Sequence, residues 1–480
     1  MHFRAARPSA RRLGLLVPAV LVLAALALGT PLDVAAAPAP STAAAPPVTT
    51  PATKPNVVLI LTDDQRFDTL SGMPNVKRLL AAQGTTYTRA MVPTSLCCPS
   101  RSTILTGLYA HTSRLFGNGD VGGPRYGGWR RFHRLGLEKR TLGPALQGAG
   151  YRTALIGKYL NFFGKYSPPG YRPPGWDTFA AFMSSHGSYY AYHLSDGTYH
   201  GLEPQDYSTD VLASRATNFI STTPVDQPLF LYFAPFGPHA PYTPAPRDLG
   251  TLDGKLTPYV AATLHQPLRT MPVWMQNRRH FTQDEVDKTR QPQLEALMSI
   301  DDAVGSIMQS LQQGNRDRNT LFVFMSDNGY FWGEHTIVGK DSPYDASTRI
   351  PMVIRWDGHT PPASTSGRIV LNVDIASTIA AATGASMQTD GLDILGAKAR
   401  KGFVLEAMDG YNYRPAYCGW RTKNRMFVQW NTGEQELFDY RLDPAERTNL
   451  AHRKSWRPVK KELRAKAFAA CRPVPPHFHW

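Results

Sequence analysis

The sequence contains few cysteines, no long run of charges of one sign and no internal repeat. Four cysteines in 480 residues exclude a small scaffold held together by dense disulfides. Lys and Arg never occur five or more in a row and no nucleic-acid-binding motif is recognisable, so we expect no nucleic-acid partner. With 42% hydrophobic and 19% charged residues, the chain is also unlike a wholly disordered, collagen-like or multi-span membrane protein.

The N-terminus has the pattern of a secretory signal peptide. Four arginines precede an apolar stretch at 13–28, and small residues follow at 34–37. Because the apolar stretch is short for a span of about 20 residues, we expect no stable membrane insertion, with an anchor as the alternative. We predict a signal peptide at 1–36 and a secreted or cell-surface protein. The pair Arg11-Arg12 is compatible with twin-arginine export, and the export route stays open.

Most of the basic charge belongs to the part of the chain after this segment. Lys and Arg number 52 against 37 Asp and Glu, a net charge of +15. Residues 1–36 contribute four Arg and one Asp, so about +12 belongs to the remainder. Positive charge attracts anionic partners. We therefore expect an anionic small molecule or polysaccharide as ligand, and a basic surface that serves only solubility is the alternative.

Apolar runs of strand length alternate with helical patterns after a Pro/Ala/Thr-rich segment at 37–54, which predicts a linker. This alternation predicts an α/β domain at 55–385, a mainly parallel sheet flanked by helices. At 386–480 the pattern changes to short antiparallel strands and one helix, which predicts a smaller C-terminal α+β subdomain. The predicted strands are 56–61, 153–156, 229–233, 321–325, 352–354, 427–430 and 436–440, and the predicted helices are 73–83, 208–220, 293–312 and 459–470.

Two predicted strands each end in a pair of oxygen-bearing side chains. Asp63 and Asp64 follow the strand at 56–61, and Asp327 and Asn328 follow the strand at 321–325. Sites gather at the carboxyl ends of strands in parallel sheets. These oxygens suit Ca²⁺, with Mg²⁺ as the alternative, and the absence of His and Cys from both pairs argues against zinc. Solvated turns at chance spacing are the competing interpretation.

The segment at 97–107 contains C-x-P-S-R followed by L-T-G. From the residues alone, Cys97 has three interpretations that stay open: a nucleophilic thiol activated by Arg101, a disulfide partner, or a buried cysteine. Its neighbour Cys98 makes the last two plausible. In the C-terminal region, Cys418 and Cys471 could pair in an exported protein, which the sequence does not decide.

The C-x-P-S-R segment resembles the sulfatase signature, whose first cysteine is oxidised to formylglycine. Other segments resemble that family in order from 55 to 451, so the chain is identified as a member of the formylglycine-dependent, alkaline-phosphatase-like sulfatases. Details at 62–65, 95–101 and 157–161 are most similar to N-acetylglucosamine-6-sulfatase and glycosaminoglycan sulfatase-like members. The further segments are 55–65, 150–159 (G-Y-x-T-x-x-x-G-K), 238–241 (P-H-x-P), 326–329 with 333–340, and 436–451.

The resemblance implies a sulfate-ester hydrolase that acts through a covalent formylglycine–sulfate intermediate. It implies that Arg101, Lys158 and Lys340 neutralise the sulfate oxygens and that His239 protonates the leaving alcohol. The implied substrate is a sulfated sugar or polysaccharide, or an aryl sulfate, and the implied protein partner is a formylglycine-generating enzyme. The implied metal ligands are Asp63, Asp64, the formylglycine made from Cys97, Asp327 and Asn328.

One position departs from the family pattern. Leu160 stands where many sulfatases have His, and Asn161 is the candidate for the missing hydrogen bond to position 97. Two other functions compete: a phosphate or phosphonate monoester hydrolase of the same superfamily, and an inactive carbohydrate-binding surface protein. We expect substrate specificity to lie in the loops at 117–134 and 165–195, which are rich in Gly, Tyr and Arg.

Overall fold

A nine-stranded sheet forms the centre of the molecule in the computed structural model, which describes residues 54–119, 125–257 and 259–480. The signal peptide predicted at 1–36 and all of the predicted linker except Lys54 lie outside the described residues. The domain boundaries at 36, 54 and 385 therefore stay predictions. Within the described ranges, no helix has both the length and the apolar character that crossing a membrane requires.

The strands of the structure are β1 (Asn56–Thr62), β2 (Thr85–Met91), β3 (Arg152–Gly157), β4 (Thr178–Ala181), β5 (Tyr192–His193), β6 (Tyr199–His200), β7 (Leu229–Ala234), β8 (Thr320–Ser326), β9 (Phe331–Trp332), β10 (Val338–Gly339), β11 (Arg349–Ile350), β12 (Met352–Arg355), β13 (Ser364–Leu371), β14 (Gly402–Ala407), β15 (Tyr417–Thr422), β16 (Arg425–Trp430) and β17 (Gln435–Asp439). The α-helices are α1 (Cys97–Thr106), α2 (Ala110–Ser113), α3 (Gly128–Arg134), α4 (Leu142–Gly148), α5 (Phe163–Tyr166), α6 (Ser208–Ser221), α7 (Val273–Gln276), α8 (Gln283–Gln313), α9 (Asp345–Thr348), α10 (Asp374–Thr383) and α11 (Arg457–Ala470).

The central sheet is mainly parallel, as predicted. Its order is β11-β2-β12-β8-β1-β7-β3-β4, and β13 pairs with β2 outside this path. Strands β4, β3, β7, β1 and β8 are parallel to one another, whereas β12 runs antiparallel between β8 and β2. Because β2 is antiparallel to β12, it runs in the same direction as β1 and β8. The carboxyl ends of β1, β2, β3, β7 and β8 therefore lie along one edge.

Both faces of this sheet are buried, which explains the continuous apolar runs in its strands. In β1, Val57, Leu59 and Leu61 join a core cluster on one face, whereas Val58 and Ile60 join the cluster on the other. Residues of α1, α4 and α10 complete the first cluster, and residues of α6 and α8 complete the second. The predicted α/β fold class is thus confirmed, with helices on both faces.

The C-terminal region contains the predicted antiparallel sheet, in the order β14-β15-β16-β17. Helix α11 packs against it, with Phe427, Leu437 and Leu463 in one buried cluster. Cys418 in β15 and Cys471, just after α11, form a disulfide across 53 positions of sequence. A closed loop of that length stabilises the fold by about 4 kcal/mol in the chain-entropy account.

Two helix predictions need correction. The pattern at 73–83 forms no regular α-helix but a π-helical turn, Val76–Leu80, followed by a 3-10 turn, Ala81–Gln83. The helix predicted at 293–312 is the second part of α8, which begins ten residues earlier at Gln283. Thr282 caps α8 by a reciprocal capping box with Glu285, and Pro292 lies inside the helix.

Candidate active site

Oxygen-bearing side chains follow β1 and β8, two neighbouring strands in register. Thr62 at the end of β1 is paired with Ser326 at the end of β8. The next residues, Asp63 and Asp327, therefore leave the sheet side by side, and the Asp327 amide donates to the Thr62 carbonyl (3.1 Å). Asp64 follows in the left-handed region (φ 66°), and its amide donates to Asp327 Oδ1 (3.2 Å). The two predicted pairs thus meet at one edge of the sheet.

Cys97 reaches the same edge from β2. It is the first residue of α1, six positions after β2 ends at Met91. Every residue of α1 is buried, and Gly107 closes the helix in the left-handed conformation (φ 69°). The Cys97 Sγ lies 3.6 Å from Asp63 Oδ1. Since the amino end of a helix carries partial positive charge, position 97 favours a nearby anion.

Two buried cations and one partly buried cation surround these carboxylates. Arg101, one turn along α1 from Cys97, donates from Nε to Asp327 Oδ2 (2.7 Å) and from Nη1 to the Lys158 carbonyl (2.9 Å). Lys158 follows β3 directly, and its ammonium group bonds to the carboxylate of Asp63. The side chains of Arg101 and Lys158 are 0% and 2% exposed, so both charges act in a medium that screens them weakly.

Lys340 is the third of these cations, and it arrives from the loop after β10. Its ammonium group bonds to the Asp64 carboxylate and donates to the Cys97 Sγ (2.7 Å). Asp341, the next residue, fixes this loop because its amide donates to the Ser95 carbonyl (3.1 Å). Lys340 thus supplies a hydrogen bond to position 97, a contact for which sequence analysis named only Asn161 as the candidate.

Leu160 and Asn161 are both buried, and each makes contacts of its own. Leu160 is part of the core cluster on one face of the sheet. Asn161 is buried, its backbone carbonyl accepts from the Trp129 amide (2.9 Å), and its side-chain nitrogen and oxygen have no hydrogen-bond partner among the residues that the structure describes. A hydrogen bond from Asn161 to position 97 stays a prediction.

His239 lies beyond β7, on the open side of the cluster. Its Nδ1 bonds to the Ala240 carbonyl (2.8 Å), which leaves Nε2 3.7 Å from Asp64 Oδ2. Tyr189 donates to the His239 carbonyl (2.8 Å) and holds the backbone in place. Burial lowers the pKa of His239 to about 4, despite the opposing effect of Asp63 and Asp64. The imidazole of the protein alone is therefore neutral near pH 7.

Burial and charge act in opposite directions on the other groups. Burial raises the pKa of the Cys97 thiol to about 12, although Lys158 and Lys340 oppose it. Burial also favours a protonated Asp63, but the cations around it outweigh this effect and hold its pKa well below the ordinary range. Burial and the neighbouring Asp63 raise the pKa of Asp327. An unmodified Cys97 is therefore a weak nucleophile here, because thiolate is scarce at neutral pH.

The donor atoms fit one hard divalent cation. Ligand atoms of Asp63, Asp64, Cys97 and His239 all lie within 4.8 Å of one another. Within the described part of the chain, Asn328 Oδ1 is buried without a hydrogen-bond partner, while Nδ2 of the same side chain donates to Asp64 Oδ1 (2.7 Å). A buried oxygen that accepts no hydrogen bond is costly unless it has another ligand role, and carboxylate and amide oxygens are what Ca²⁺ and Mg²⁺ bind. Asp327, another predicted ligand, contacts Asp64 because its Oδ1 accepts a hydrogen bond from the Asp64 amide.

A cavity of about 280 Å³ opens above this cluster. We call it the inner pocket; it is lined by Asp64, His239, Tyr330, Lys340, Tyr411 and Arg414, among others. Sequence analysis missed the last two, because they come from the C-terminal region and carry no motif. The loops at 117–134 and 165–195 contribute none of its described lining residues. The first of these loops instead contacts the residue next to position 97, because Asn118 Oδ1 accepts a hydrogen bond from the Cys98 amide (2.9 Å).

The sheet topology and the cluster of carboxylates and cations at its carboxyl edge place the protein in the alkaline-phosphatase-like class of α/β proteins. Residues 55–385 match the family described as Sulfatase, and residues 333–471 match the one described as N-sulphoglucosamine sulphohydrolase, C-terminal. The chain belongs to the sulfatase family.

Curated relatives agree with this assignment. Human N-acetylglucosamine-6-sulfatase is 32% identical over 362 residues, which cover 71% of this chain and 64% of that protein. The extracellular sulfatase SULF-1 homolog of Drosophila melanogaster is 33% identical over 344 residues, which cover 68% of this chain and 29% of that protein. The chain thus spans less than two thirds of the length of these relatives.

Solved structures share the fold at lower identity. BT4656 in complex with its substrate D-glucosamine-2-N,6-O-disulfate has a TM-score of 0.72 and 22% identity, over 87% of this chain and 98% of that one. The phosphonate monoester hydrolase of Agrobacterium radiobacter has a TM-score of 0.69 and 20% identity, over 87% and 95%. Since proteins with different substrates share it, the fold alone does not identify the ester that is cleaved.

Proposed function

We propose that the protein hydrolyses sulfate esters of sugars to the alcohol and inorganic sulfate, with formylglycine made from Cys97 and one Ca²⁺ as cofactors. The observation that carries the proposal is the position of the Cys97 Sγ, 2.7 Å from Lys340 Nζ and 3.6 Å from Asp63 Oδ1. The side chain at position 97 thus stands between a cation and the carboxylates that fit the metal.

The charges of the site suit an anionic ester. Three carboxylates, Asp63, Asp64 and Asp327, face three cationic side chains, so a divalent cation would leave the cluster positively charged. A sulfate group entering above it would meet Lys340 first, because Lys340 lines the inner pocket whereas Arg101 is fully buried. Fixed cations in a site of low dielectric stabilise charge that shifts onto sulfate oxygens as the ester bond breaks.

Position 97 needs chemistry that cysteine does not supply here. Burial keeps the Cys97 thiol protonated, as its pKa of about 12 indicates. When present, formylglycine would supply a hydrated aldehyde with two hydroxyl groups, a nucleophile that the protonated Cys97 thiol does not supply. When bound, Ca²⁺ held by Asp63, Asp64, Asp327 and Asn328 supplies positive charge that makes such a hydroxyl more acidic.

His239 is the proposed acid for the leaving alcohol. Its Nδ1 is fixed on the Ala240 carbonyl, so Nε2 is the nitrogen that faces the pocket. The free imidazole is neutral near pH 7 because burial lowers its pKa to about 4. A bound anionic sulfate would favour the protonated form, so substrate itself would prepare the acid that releases the alcohol.

Release of inorganic sulfate tests the proposal. The full-length protein would be assayed with sulfated saccharides and aryl sulfates beside the matching phosphates and phosphonates. We expect sulfate esters to be preferred and the Cys97 peptide to have the lower mass of formylglycine. Preference for phosphonates would establish the competing hydrolase, and an unmodified Cys97 without any turnover would establish an inactive binding protein.

Formylglycine formation implies a modifying enzyme and fixes an order of events. The partner must oxidise Cys97 before folding, since the thiol is 1% exposed in the folded chain. We also propose export to the cell exterior, which the basic and apolar pattern at 1–36 supports. Replacing Arg11 and Arg12 by Lys and measuring secreted protein tests the twin-arginine route, because only that route requires the arginine pair.

A further inference from the structure

The inner pocket lies next to a second, larger cavity of about 720 Å³. We call this cavity the outer groove; it is lined by residues of the segment 273–281 and by Thr336, Val338 and Tyr413. The two cavities share Trp274, Arg278 and Val338. A ligand whose reacting group lies beside Lys340 can therefore extend along one continuous surface into the outer groove.

The outer groove is basic at its junction with the inner pocket. No acidic side chain is among its lining residues in the part of the chain that the structure describes. Arg279 is bound to Glu285 by two contacts of 2.6 and 2.9 Å, so its charge is balanced. The Arg278 guanidinium lies 5.0 Å from the centre of the Trp274 ring and lines both cavities. An anion at the junction would meet this cation above an aromatic surface.

An exposed aromatic ring stands on another wall of the groove. Tyr413 is 94% exposed and has a φ of 60°, a backbone conformation that tyrosine rarely adopts. Its loop is fixed to Asp341, whose carboxylate accepts from Arg414 Nη2 (2.8 Å) and from the Tyr411 amide (3.2 Å). Because these contacts fix the loop backbone, the ring is presented at the surface and a ligand can bind it without ordering the loop.

We propose that the outer groove binds the sugar adjacent to the reacting one, and that this sugar carries a carboxylate or sulfate recognised by Arg278. Tyr413 provides the face against which its ring packs. The inference rests on the proposed function and extends it: the substrate is an anionic oligosaccharide rather than a single sulfated sugar. Both anions present oxygen acceptors to a guanidinium, so the chemistry that is recognised is the same.

Three probes that share one reacting sugar test this proposal. They are N-acetylglucosamine 6-sulfate, a disaccharide that adds a neutral sugar to it, and a disaccharide that adds a uronic acid instead. The variants are Arg278→Gln, Arg278→Lys and Tyr413→Ala in the full-length protein. Arg318→Gln is the matched control, because Arg318 is exposed and precedes β8, at the edge of the sheet opposite Asp327.

The expected results are ratios of kcat/KM. The wild type should prefer the acidic disaccharide over the neutral one by about tenfold, as expected for a hydrogen bond to a charged group. Arg278→Gln should abolish this preference, Arg278→Lys should keep part of it, and Arg318→Gln should not alter it. Tyr413→Ala should lower the values for both disaccharides relative to the monosaccharide. Equal values for the two disaccharides in the wild type would overturn the proposal.

Binding distinguishes a failure of this proposal from a failure of the proposed function. Calorimetric titration of Cys97→Ala protein with the two disaccharides measures recognition without turnover. We expect tighter binding of the acidic disaccharide and loss of that difference when Arg278→Gln is added. If no probe is hydrolysed but the acidic disaccharide still binds more tightly than the neutral one, the proposed function is wrong and the proposal for the outer groove is supported. Equal binding of both disaccharides overturns the groove proposal whatever the turnover.

Discussion

The charged cluster beneath the inner pocket and the outer groove differ in how the chain builds them. In this cluster, Asp63, Lys158 and Asp327 follow directly after β1, β3 and β8. The outer groove takes its walls from α7 and the segment after it, from the turn before β10, and from the loop that carries Tyr413 between β14 and β15. Only the first set shares one edge of a sheet.

This difference separates the residues proposed to carry out the reaction from those proposed to recognise the substrate. Groups on strand ends are placed by backbone hydrogen bonds of the sheet, so their spacing tolerates little change. Walls formed by loops can change shape without disturbing those bonds. Changes in the charged cluster should therefore affect every substrate alike, whereas changes in the outer groove should affect only substrates that reach it.

Removal of the side chain at position 97 should give the largest effect. Cys97→Ala removes the proposed nucleophile, so we expect turnover of every sulfate ester to fall by roughly 10³-fold or more. Binding of a sulfated oligosaccharide in the outer groove should persist, because Tyr413 and Arg278 are unchanged. Sulfate release and calorimetric titration measure the two properties separately.

The control is the neighbouring thiol. Cys98 is also buried and unpaired with another cysteine, but its backbone amide faces Asn118 and its side chain belongs to the core. Cys98→Ala should alter stability and leave the identity of the nucleophile untouched. Full activity of the Cys97→Ala protein would contradict a covalent role for position 97.

Loss of a metal-binding carboxylate should come next. Asp64→Ala removes a carboxylate that contacts Asn328 and Lys340. Outer partners of a bound metal are typically worth roughly 10- to 100-fold in affinity, so a direct ligand should cost at least that much. We expect the Ca²⁺ dissociation constant and the activity for small and large substrates to change together. An unaltered Ca²⁺ titration would remove Asp64 from the metal site, and Asp317→Ala, before β8, is the control.

The strand ends explain why much of the fold and site could be predicted from the sequence. A strand buried on both faces is a continuous apolar run, as in β1 and β8, and the polar pair after each run is easy to see. On that basis the sequence predicts Asp63 and Asp327 at one edge of the sheet, and in the structure the Asp327 amide donates to the carbonyl of Thr62, the residue before Asp63 (3.1 Å). The catalytic and metal roles of these residues are still predictions, because the structure shows which side chains are close together and not which reaction they carry out.

Other elements gave no such signal. Strand β2 alternates buried and half-buried residues, with Thr and Arg among them, so no apolar run marks it. The first part of α8 precedes Pro292, a residue that usually ends a helical pattern. Trp274 and Tyr413 lie more than a hundred residues apart in the chain. Their meeting in one groove depends on long-range packing, which no local pattern records.

A smaller effect is expected where the two regions join. Arg414 lines the inner pocket and fixes the loop of Tyr413 through Asp341, the residue after Lys340. Arg414→Ala leaves a buried carboxylate unpaired, which typically costs about 3 kcal/mol of unfolding free energy. We expect kcat/KM to fall about tenfold for aryl sulfate and oligosaccharide alike, because the anchor beside Lys340 is lost. The double variant Asp341→Asn/Arg414→Gln should recover part of the stability, and a loss confined to oligosaccharides would show that Arg414 serves the groove alone.

The smallest effect concerns Glu436 in the C-terminal sheet, which lines neither cavity. Glu436 in β17 accepts hydrogen bonds from Tyr344 (2.9 Å) and Trp430 (2.8 Å), and burial raises its pKa to about 7. Since the ordinary pKa of a glutamate is lower, the folded state holds this proton more tightly than the unfolded chain does. Its contribution to stability is full at pH below the unfolded pKa and is lost as the pH rises through 7.

Glu436→Gln removes this titration and keeps a similar shape. The variant should be less stable than the wild type at pH 5, and the difference should shrink or reverse by pH 8, a change of about 3 kcal/mol at most. Thermal unfolding at both pH values, with melting temperatures that shift by a few degrees, measures it. Glu462→Gln, at an exposed position of α11, should show no comparable dependence. A stability difference that is equal at pH 5 and pH 8 would mean that Glu436 stays charged in the folded protein, and that its partners outweigh its burial.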